Sequence, residues 1–336
     1  MADDVIDAHI HFGAPRDEES GCFWSEKFTR TAAFFAMKLI TGSLFRKMDI
    51  HKIKKHMFQV IKKSDYVDRS VFLAMDQVHD EHGNPQPEST HLYVPNRYIR
   101  DLAWENDRVL FGASVHPYRR DWQAELDFCL ENRAVLCKWI PSSMGINPEH
   151  PRCLPFYRKL ADHRLPLLCH GGPEYAVPDT DSRFTRYNNP KYLRTALDAG
   201  VTVIVAHCAL PYFGLLDIDY QDEFDEFIRL FNESGHNGWK LYADLSAICI
   251  PTKSPYINRL EDNVPAERLI FGSDYPIPIS ELSYHESPNF FQWLKYAFKV
   301  ILEKNLLDKN YLIIEGMGFD PSIFTNAAGL FAQIRY

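Results

Sequence analysis

VIDAHIH, at residues 5–11, is a short apolar run that ends in two histidines. Seven more apolar or β-branched runs follow it, each leading into polar or small residues: Ser70–Asp76, Val109–His116, Val135–Ile140, Leu165–His170, Val201–His207, Leu241–Ser246 and Leu269–Asp274. Runs that are apolar almost throughout are typical of parallel strands covered on both faces. The sequence therefore predicts eight buried parallel strands.

The stretches between these runs mostly carry helical patterns. Apolar residues recur every three or four positions in Trp122–Asn132 and Leu154–His163, and Tyr192–Ala199 meets Gly200, a plausible helix end. Strand alternating with helix eight times predicts an α/β fold, a (β/α)₈ TIM barrel formed as one domain by residues 1–336. The alternative, a doubly wound open sheet, would usually show a glycine-rich turn where this chain has HIHFG.

Two segments are longer than barrel loops require. Residues 13–65 contain helical patterns in Lys27–Leu39 and Asp49–Lys62, which predict a helical insertion after the first strand. The insertion would begin at the C-terminal end of that strand, where it could form a substrate wall or a lid, or a packed peripheral pair of helices. Residues 277–336 are predicted to form C-terminal helices that pack on the barrel.

Composition favours a globular protein with a full-sized core. The chain has 336 residues, 46% of them hydrophobic, and a net charge of −8. Nucleic acids and anionic membranes attract basic patches, so neither is expected as a partner. The seven cysteines include no CxxC pair and the first residues resemble no secretory signal, so we expect a cytoplasmic protein with reduced cysteines. The aromatic segment Phe290–Phe298 could join subunits of a homo-oligomer or pack on the barrel wall.

Residues that can bind a metal or move a proton stand at several of the predicted strand ends. Side chains alternate along a strand, so Asp7, His9 and His11 should point the same way. Four more such residues end other runs: Lys138, His170, His207 and Asp274. Active sites of this fold lie at the C-terminal ends of the strands, where these side chains would meet. Neutral imidazoles and a carboxylate suit divalent metal ions, and zinc is the expected one.

The sequence resembles the amidohydrolase superfamily, especially the amidohydrolase-related branch that contains aminocarboxymuconate semialdehyde decarboxylase. The matching pieces are VIDAHIH (5–11), LCHGG (168–172), VAHC (205–208), LIFGSDYP (269–276) and NAAGLF (326–331). The resemblance implies four metal ligands: His9, His11, His170 and Asp274. It also implies that Asp274 is the base that activates water and that His207 donates a proton or polarises the substrate.

Lys138 leaves the number of metal ions open. In binuclear members of the superfamily, a carboxylated lysine after the fourth strand bridges two ions, and His170 and His207 would hold the second one. In the related branch this lysine is often no ligand, and one ion is typical. A plain ammonium beside a divalent cation would be repelled. We therefore expect one ion, or two if Lys138 is carboxylated; some relatives, such as pyrone dicarboxylate lactonases, work without metal.

Three functions follow from these residues. The complete ligand set favours hydrolysis, in which metal-activated water attacks a C–N or C–O bond of a small carbonyl substrate. The alternatives are non-oxidative decarboxylation of an aromatic or unsaturated acid and a barrel that binds a metal or ligand without catalysis. Asp244 could reach the mouth of the barrel or cap a helix. Four residues after strand ends are predicted to contact the substrate: Arg16, Trp139, Glu174 and Tyr175.

Overall fold

The fold is built around one parallel sheet. A computed structural model describes residues 4–42, 48–211, 221–281, 283 and 290–336. The eight strands of the sheet are β1 (Ile6–His11), β2 (Arg69–Leu73), β3 (Val109–Ala113), β4 (Leu136–Trp139), β5 (Leu167–His170), β6 (Val203–Ala206), β7 (Leu241–Asp244) and β8 (Leu269–Ile270). Each strand pairs in parallel with the next one along the chain.

Hydrogen bonds between β1 and the segment after β8 join the two edges of the sheet. The backbone N–H of Ala8 donates to the carbonyl of Phe271 at 3.0 Å, and the N–H of His11 donates to the carbonyl of Tyr275 at 2.9 Å. The sheet is thus a nearly closed barrel, in which the carboxyl ends of all strands face one side. The predicted (β/α)₈ fold is confirmed.

Helices cover the outside of the barrel. In chain order they are α1 (Glu26–Thr29), α2 (Ala32–Ile40), α3 (Ile50–Lys62), α4 (Asn96–Glu105), α5 (Trp122–Glu131), α6 (Pro141–Met144), α7 (Cys153–His163), α8 (Arg194–Asp198), α9 (Gln221–Asn237), α10 (Ile257–Asn263), α11 (Phe290–Leu302), α12 (Leu306–Gly316) and α13 (Asn326–Phe331). In α7 the buried residues are Cys153, Phe156, Tyr157 and Leu160. Spacing of three or four positions turns one apolar stripe toward the core that the strands share.

The predicted insertion contains α1, α2 and α3. The single helix predicted over Lys27–Leu39 is two helices, because Thr31 begins a new one: its hydroxyl accepts a hydrogen bond from the N–H of Phe34 at 3.1 Å. A two-residue antiparallel ribbon, Phe23–Trp24 with Leu92–Tyr93, joins the insertion to the loop after β2. Part of the insertion, residues 43–47, lies outside the described residues.

The C-terminal segment 277–336 contains α11, α12 and α13, together with positions outside the described residues. Helices α12 and α13 bury most of their apolar side chains in the core. Helix α11 instead leaves large side chains exposed, among them Phe291 at 80% and Leu302 at 72%. None of the helices in the described ranges combines the length and the apolar character that a membrane crossing requires.

Candidate active site

Three of the predicted ligands converge at the carboxyl end of the barrel. His9 and His11 stand on the same face of β1, with their Nε2 atoms 3.1 Å apart. Asp274, after β8, has its Oδ1 atom 3.2 Å from Nε2 of His11 and 3.5 Å from Nε2 of His9. One donor atom from each residue lies within 4.8 Å of the others. We refer to His9, His11 and Asp274 as the donor cluster.

The segment after β8 is shaped to bring Asp274 to β1. A Cβ atom on Gly272 would lie only 3.0 Å from Cβ of His9 and 3.2 Å from Cβ of Ser246, so glycine permits the close approach of these segments. The N–H of Asp274 donates to the carbonyl of His9 at 2.8 Å. Asp274 also adopts φ 61°, in the left-handed region that non-glycine residues rarely occupy. Such strain is often found at functional sites.

Asp7, which the alternation of β1 places on the same face as the two histidines, does not belong to the donor cluster. Its Oδ1 atom accepts hydrogen bonds from the N–H groups of Ser273 at 2.9 Å and His9 at 3.1 Å. Complete burial raises the pKa of Asp7 to about 7. The carboxyl group of Asp7 therefore ties β1 to the segment after β8 from inside the barrel.

Asp244, at the end of β7, orients His9. Its Oδ2 atom lies 2.7 Å from Nδ1 of His9, and both side chains are fully buried. When the carboxylate accepts the Nδ1 hydrogen of His9, the lone pair of the ring is on Nε2, on the side of His11 and Asp274. The other oxygen of Asp244 accepts the N–H groups of His207 at 2.8 Å and Ser246 at 3.1 Å. Asp244 thus lies below the cleft, where it contacts both His9 and the N–H group of the segment that begins at His207.

His207 lies beside the donor cluster on a strained turn. Its ring stacks on that of His9 with centroids 5.1 Å apart, and its Nδ1 atom lies 2.8 Å from the hydroxyl of Ser246. His207, Cys208 and Ala209 all have positive φ values, between 50° and 59°. Ser246 was not singled out in the sequence; its position two residues after Asp244 was the only available signal.

The structure leaves His170 outside the donor cluster. Its Nδ1 atom pairs with Oε2 of Glu174 at 3.2 Å, and its ring centroid is 5.0 Å from that of His207. The two groups of close donor atoms found among the described residues are His9 with His11 and Asp274, and His9 with His207 and Asp244. The role of His170 as a fourth metal ligand stays a prediction.

Lys138 approaches the donor cluster from within the barrel. Its side chain is fully buried and its Nζ atom lies 3.2 Å from Nε2 of His9. Burial lowers the pKa of Lys138 from its ordinary value, which favours the neutral amine. The lysine is thus within reach of the cluster, and its carboxylation stays a prediction.

The charges of the site suit a divalent cation. Burial lowers the pKa of His9 and His207 well below the ordinary value and that of His170 to about 3, so these imidazoles are neutral. Burial alone would raise the pKa of Asp274, but the hydrogen bond to His11 and the nearby ring of His9 bring it down to about 2. Neutral imidazole nitrogens and an ionised carboxylate are ligands that zinc and related ions accept. The residues present therefore fit a metal ion.

A cleft of about 860 Å³, part of it open to solvent, lies above the donor cluster. Glu174 and Tyr175 line it, and their contact with a substrate stays a prediction. Trp139 does not, because its ring is fully buried against Phe156, with centroids 5.2 Å apart, on the outer side of the barrel. Arg16 does not line the cleft either, because its exposed guanidinium lies 4.8 Å from the ring centroid of Phe23. The structure thus places neither Trp139 nor Arg16 in this cleft, and their contacts with a substrate stay predictions.

Comparisons with known proteins agree with this architecture. A family model described as Amidohydrolase matches residues 6–309. A solved TIM-barrel protein of Bordetella bronchiseptica, itself uncharacterised, is 16% identical, with a TM-score of 0.57 over 98% of this chain and 99% of that chain. A Pseudomonas putida protein provisionally described as a 2-pyrone-4,6-dicarboxylic acid hydrolase is 14% identical, with a TM-score of 0.54 over 98% and 97%.

A third solved structure, a provisionally described amidohydrolase of Staphylococcus aureus, is 10% identical, with a TM-score of 0.54 over 98% of this chain and 99% of that chain. Comparison with curated proteins gives no significant match. At these identities the three structural likenesses establish the barrel fold and leave the substrate undetermined.

Proposed function

Because the chain belongs to the amidohydrolase family, we propose that it is a metal-dependent hydrolase that cleaves a C–N or C–O bond of a small carbonyl compound. The observation that carries this proposal is the donor cluster, whose three donor atoms lie within 4.8 Å of one another below an open cleft. His207, a group able to transfer a proton, lines the same cleft. A barrel that only bound a ligand would not need such a group there.

His9, His11 and Asp274 would hold the metal ion, with His170 as a further ligand if its ring turns away from Glu174. When bound, a divalent ion supplies Lewis acidity, which lowers the pKa of water and polarises a carbonyl group. Zinc is the ion we expect, because two imidazoles and a carboxylate are a common zinc donor set.

Asp274 would accept the proton of the attacking water. Its carboxylate is ionised at neutral pH, with the pKa lowered to about 2, and it faces the cleft. The proton then passes from Asp274 to the leaving nitrogen or oxygen, which keeps the reaction balanced: one water adds across the broken bond.

His207 would orient the substrate carbonyl. Its Nδ1 atom contacts the hydroxyl of Ser246, so the opposite ring edge is available to the cleft. Burial lowers the pKa of His207 well below the ordinary value, which keeps the ring neutral at pH 7. A neutral ring whose Nε2 carries the hydrogen can donate a hydrogen bond to a carbonyl oxygen as negative charge develops there.

The proposal is tested with a panel of small amides, esters and lactones offered to the zinc-loaded protein in H₂¹⁸O. We expect one ¹⁸O atom in the acid product of at least one compound, and loss of turnover after chelation with recovery when zinc is restored. Release of CO₂ from a carboxylic acid without incorporation of ¹⁸O would support decarboxylation instead. Silence of the zinc-loaded protein across the panel would support a barrel that only binds ligands.

A further inference from the structure

Helix α11 has an outer side made of large apolar side chains. Six of them, between 42% and 80% exposed, form what we call the α11 face: Phe290, Phe291, Trp293, Phe298, Ile301 and Leu302. The other side of the helix is attached to the protein. Val300 is fully buried there, and Nζ of Lys299 lies 3.3 Å from Oε2 of Glu315 on α12. The α11 face is therefore the side of the helix that is turned away from the barrel.

The α11 face is large enough to form one half of a stable interface. A large apolar side chain presents about 200 Å² when fully exposed, so the six residues together expose about 700 Å². Apolar patches on monomeric proteins seldom exceed about 300–600 Å². Each partner of a standard protein–protein interface buries about 800 Å², which is close to the area of the α11 face.

We propose that the α11 face joins two copies of this chain, with the two α11 helices packed antiparallel about a twofold axis. Twofold dimers are the commonest oligomers, and their interface uses the same patch on both copies. The inference is independent of the proposed function, because the cleft is lined by none of the residues of α11 that the structure describes.

The two ends of the α11 face differ in shape, and this difference favours an antiparallel pair. The first turn carries the aromatic rings of Phe290, Phe291 and Trp293. The last turn carries the branched aliphatic side chains of Ile301 and Leu302. Antiparallel packing places the rings of each copy against the aliphatic side chains of the other. It also sets the two helix dipoles in opposite directions, whereas a parallel pair would align them.

Charge favours a second copy over a membrane surface as the partner of the α11 face. The six residues of the face are uncharged, so twofold packing brings no like charges together within it. The net charge of the chain is −8, and α11 contains two basic residues, Lys295 and Lys299, of which Lys299 pairs with Glu315. Helices that lie on membranes typically carry a polar face rich in lysine and arginine, which α11 lacks.

The first test is the mass of the full chain in solution, measured by sedimentation equilibrium. Interfaces of about 1,600 Å² have dissociation constants from micromolar to picomolar, so the chain at about 50 µM should be mainly dimeric. The expected mass is twice the 39.0 kDa of one chain. A monomer at this concentration would overturn the inference. If the monomer binds phospholipid vesicles through the same residues, the α11 face is a membrane surface instead.

The second test changes the face itself, with Phe291→Glu and Phe298→Glu in one protein. A dimer of this variant would bury four unpaired carboxylates, so the dissociation constant should rise by about a hundredfold or more. Both side chains are exposed in the single chain, so thermal unfolding should show an intact fold. Trp104→Glu is the control, because this ring is 68% exposed on α4 and should leave the dimer unchanged. A folded double variant that remains fully dimeric would overturn the inference.

Cross-linking with a short bismaleimide tests the direction of the pair. Ala297→Cys lies near the middle of α11, so an antiparallel pair brings its two copies together. Phe290→Cys lies at the start, and its two copies would be about 18 Å apart along the helix axes at 1.5 Å per residue. The seven native cysteines are buried and should not react. We expect cross-linked dimers from Ala297→Cys and few from Phe290→Cys. Efficient cross-linking of Phe290→Cys would overturn the antiparallel arrangement.

Discussion

Two regions of the cleft, which we call its floor and its wall, differ in polarity and in the elements that form them. The floor is the donor cluster with Asp244 and His207: polar groups at strand ends, each held by another, as His9 is held by Asp244 at 2.7 Å. The wall is the apolar surface that α1 and α2 contribute through Phe28 and Met37. Strand ends are fixed by the barrel, whereas an inserted pair of helices can change without disturbing it. From this difference we expect the floor to determine the chemistry and the wall to determine the substrate.

The largest expected effect concerns the floor. Asp274→Asn removes the carboxylate that would accept the proton of water, so turnover should fall by about a hundredfold or more. The rate is measured on any compound of the panel that the unsubstituted enzyme hydrolyses. Asp127→Asn, the same change at a half-exposed surface aspartate, is the control and should leave the rate unchanged. If Asp274→Asn retained full turnover, Asp274 would not be the base and the proposed mechanism would be wrong.

A smaller effect is expected for Asp244, the carboxylate of the floor that holds His9. Asp244→Asn keeps the size of the side chain but cannot hold the Nδ1 hydrogen of His9 as a carboxylate does, so zinc affinity should fall by about tenfold to a hundredfold. The measurement is competition with a chromophoric zinc chelator. Unchanged affinity would mean that the orientation of His9 does not depend on Asp244.

The pH dependence of stability tests whether the buried ring of His170 is neutral in the folded protein. The pKa of His170 is about 3 in the folded, metal-free chain and near 6.5 when unfolded, so the unfolded state binds a proton first as the pH falls. The free energy of unfolding should therefore be unaffected by His170 above pH 6.5 and decline by about 1.4 kcal/mol per pH unit between pH 6.5 and 3. His170→Gln should remove this part of the slope in urea unfolding at pH 7, 6 and 5.

His116 is the matched control, because burial also lowers its pKa but its ring binds the carbonyl of Met144 away from the cleft. His116→Gln should flatten the same slope and leave zinc binding unchanged, whereas His170→Gln should also weaken zinc binding if His170 is a ligand. An identical slope in the unsubstituted protein and His170→Gln would contradict the assignment of a neutral buried ring.

The smallest effect is expected in the wall. Met37→Ala removes part of the apolar lining, and since one buried methylene contributes about 0.8 kcal/mol, the KM for a panel compound that the enzyme hydrolyses should rise about threefold to tenfold. The turnover number should change little. Phe35→Ala is the control on the same helix, because this ring is 59% exposed and does not line the cleft. Equal losses in both variants would contradict a role of the wall in binding.

The contrast between strand ends and inserted helices also explains which features could be predicted from the sequence. The eight apolar runs and the residues at their ends specified the barrel, and with it the meeting of His9, His11 and Asp274, because a closed parallel sheet brings all carboxyl ends together. The bounds were less accurate where a run continued past its strand: Leu269–Asp274 is a strand only over Leu269–Ile270. Asp274 adopts a left-handed conformation there, and nothing in an apolar pattern signals that change of direction.

The sequence analysis did not place every residue around the cleft. Trp139 follows an inward-facing residue of β4 and points outward by strand alternation, so its burial against Phe156 could have been anticipated. Lys253 and Arg16 lie on segments without a regular pattern. Whether such a side chain enters the cleft depends on the path of a loop, which long-range packing determines.

The measurement that tests the central claim most directly is the zinc content per chain, by elemental mass spectrometry, of the unsubstituted protein and of His11→Ala after dialysis against equal zinc. His11 is at the cleft side of the donor cluster and partly exposed, so its removal should leave the fold intact. We predict about one ion per chain in the unsubstituted protein and less than about a tenth in His11→Ala. Two ions would indicate the bridged form with carboxylated Lys138. No bound ion, or equal zinc in both proteins, would contradict a metal site at the donor cluster.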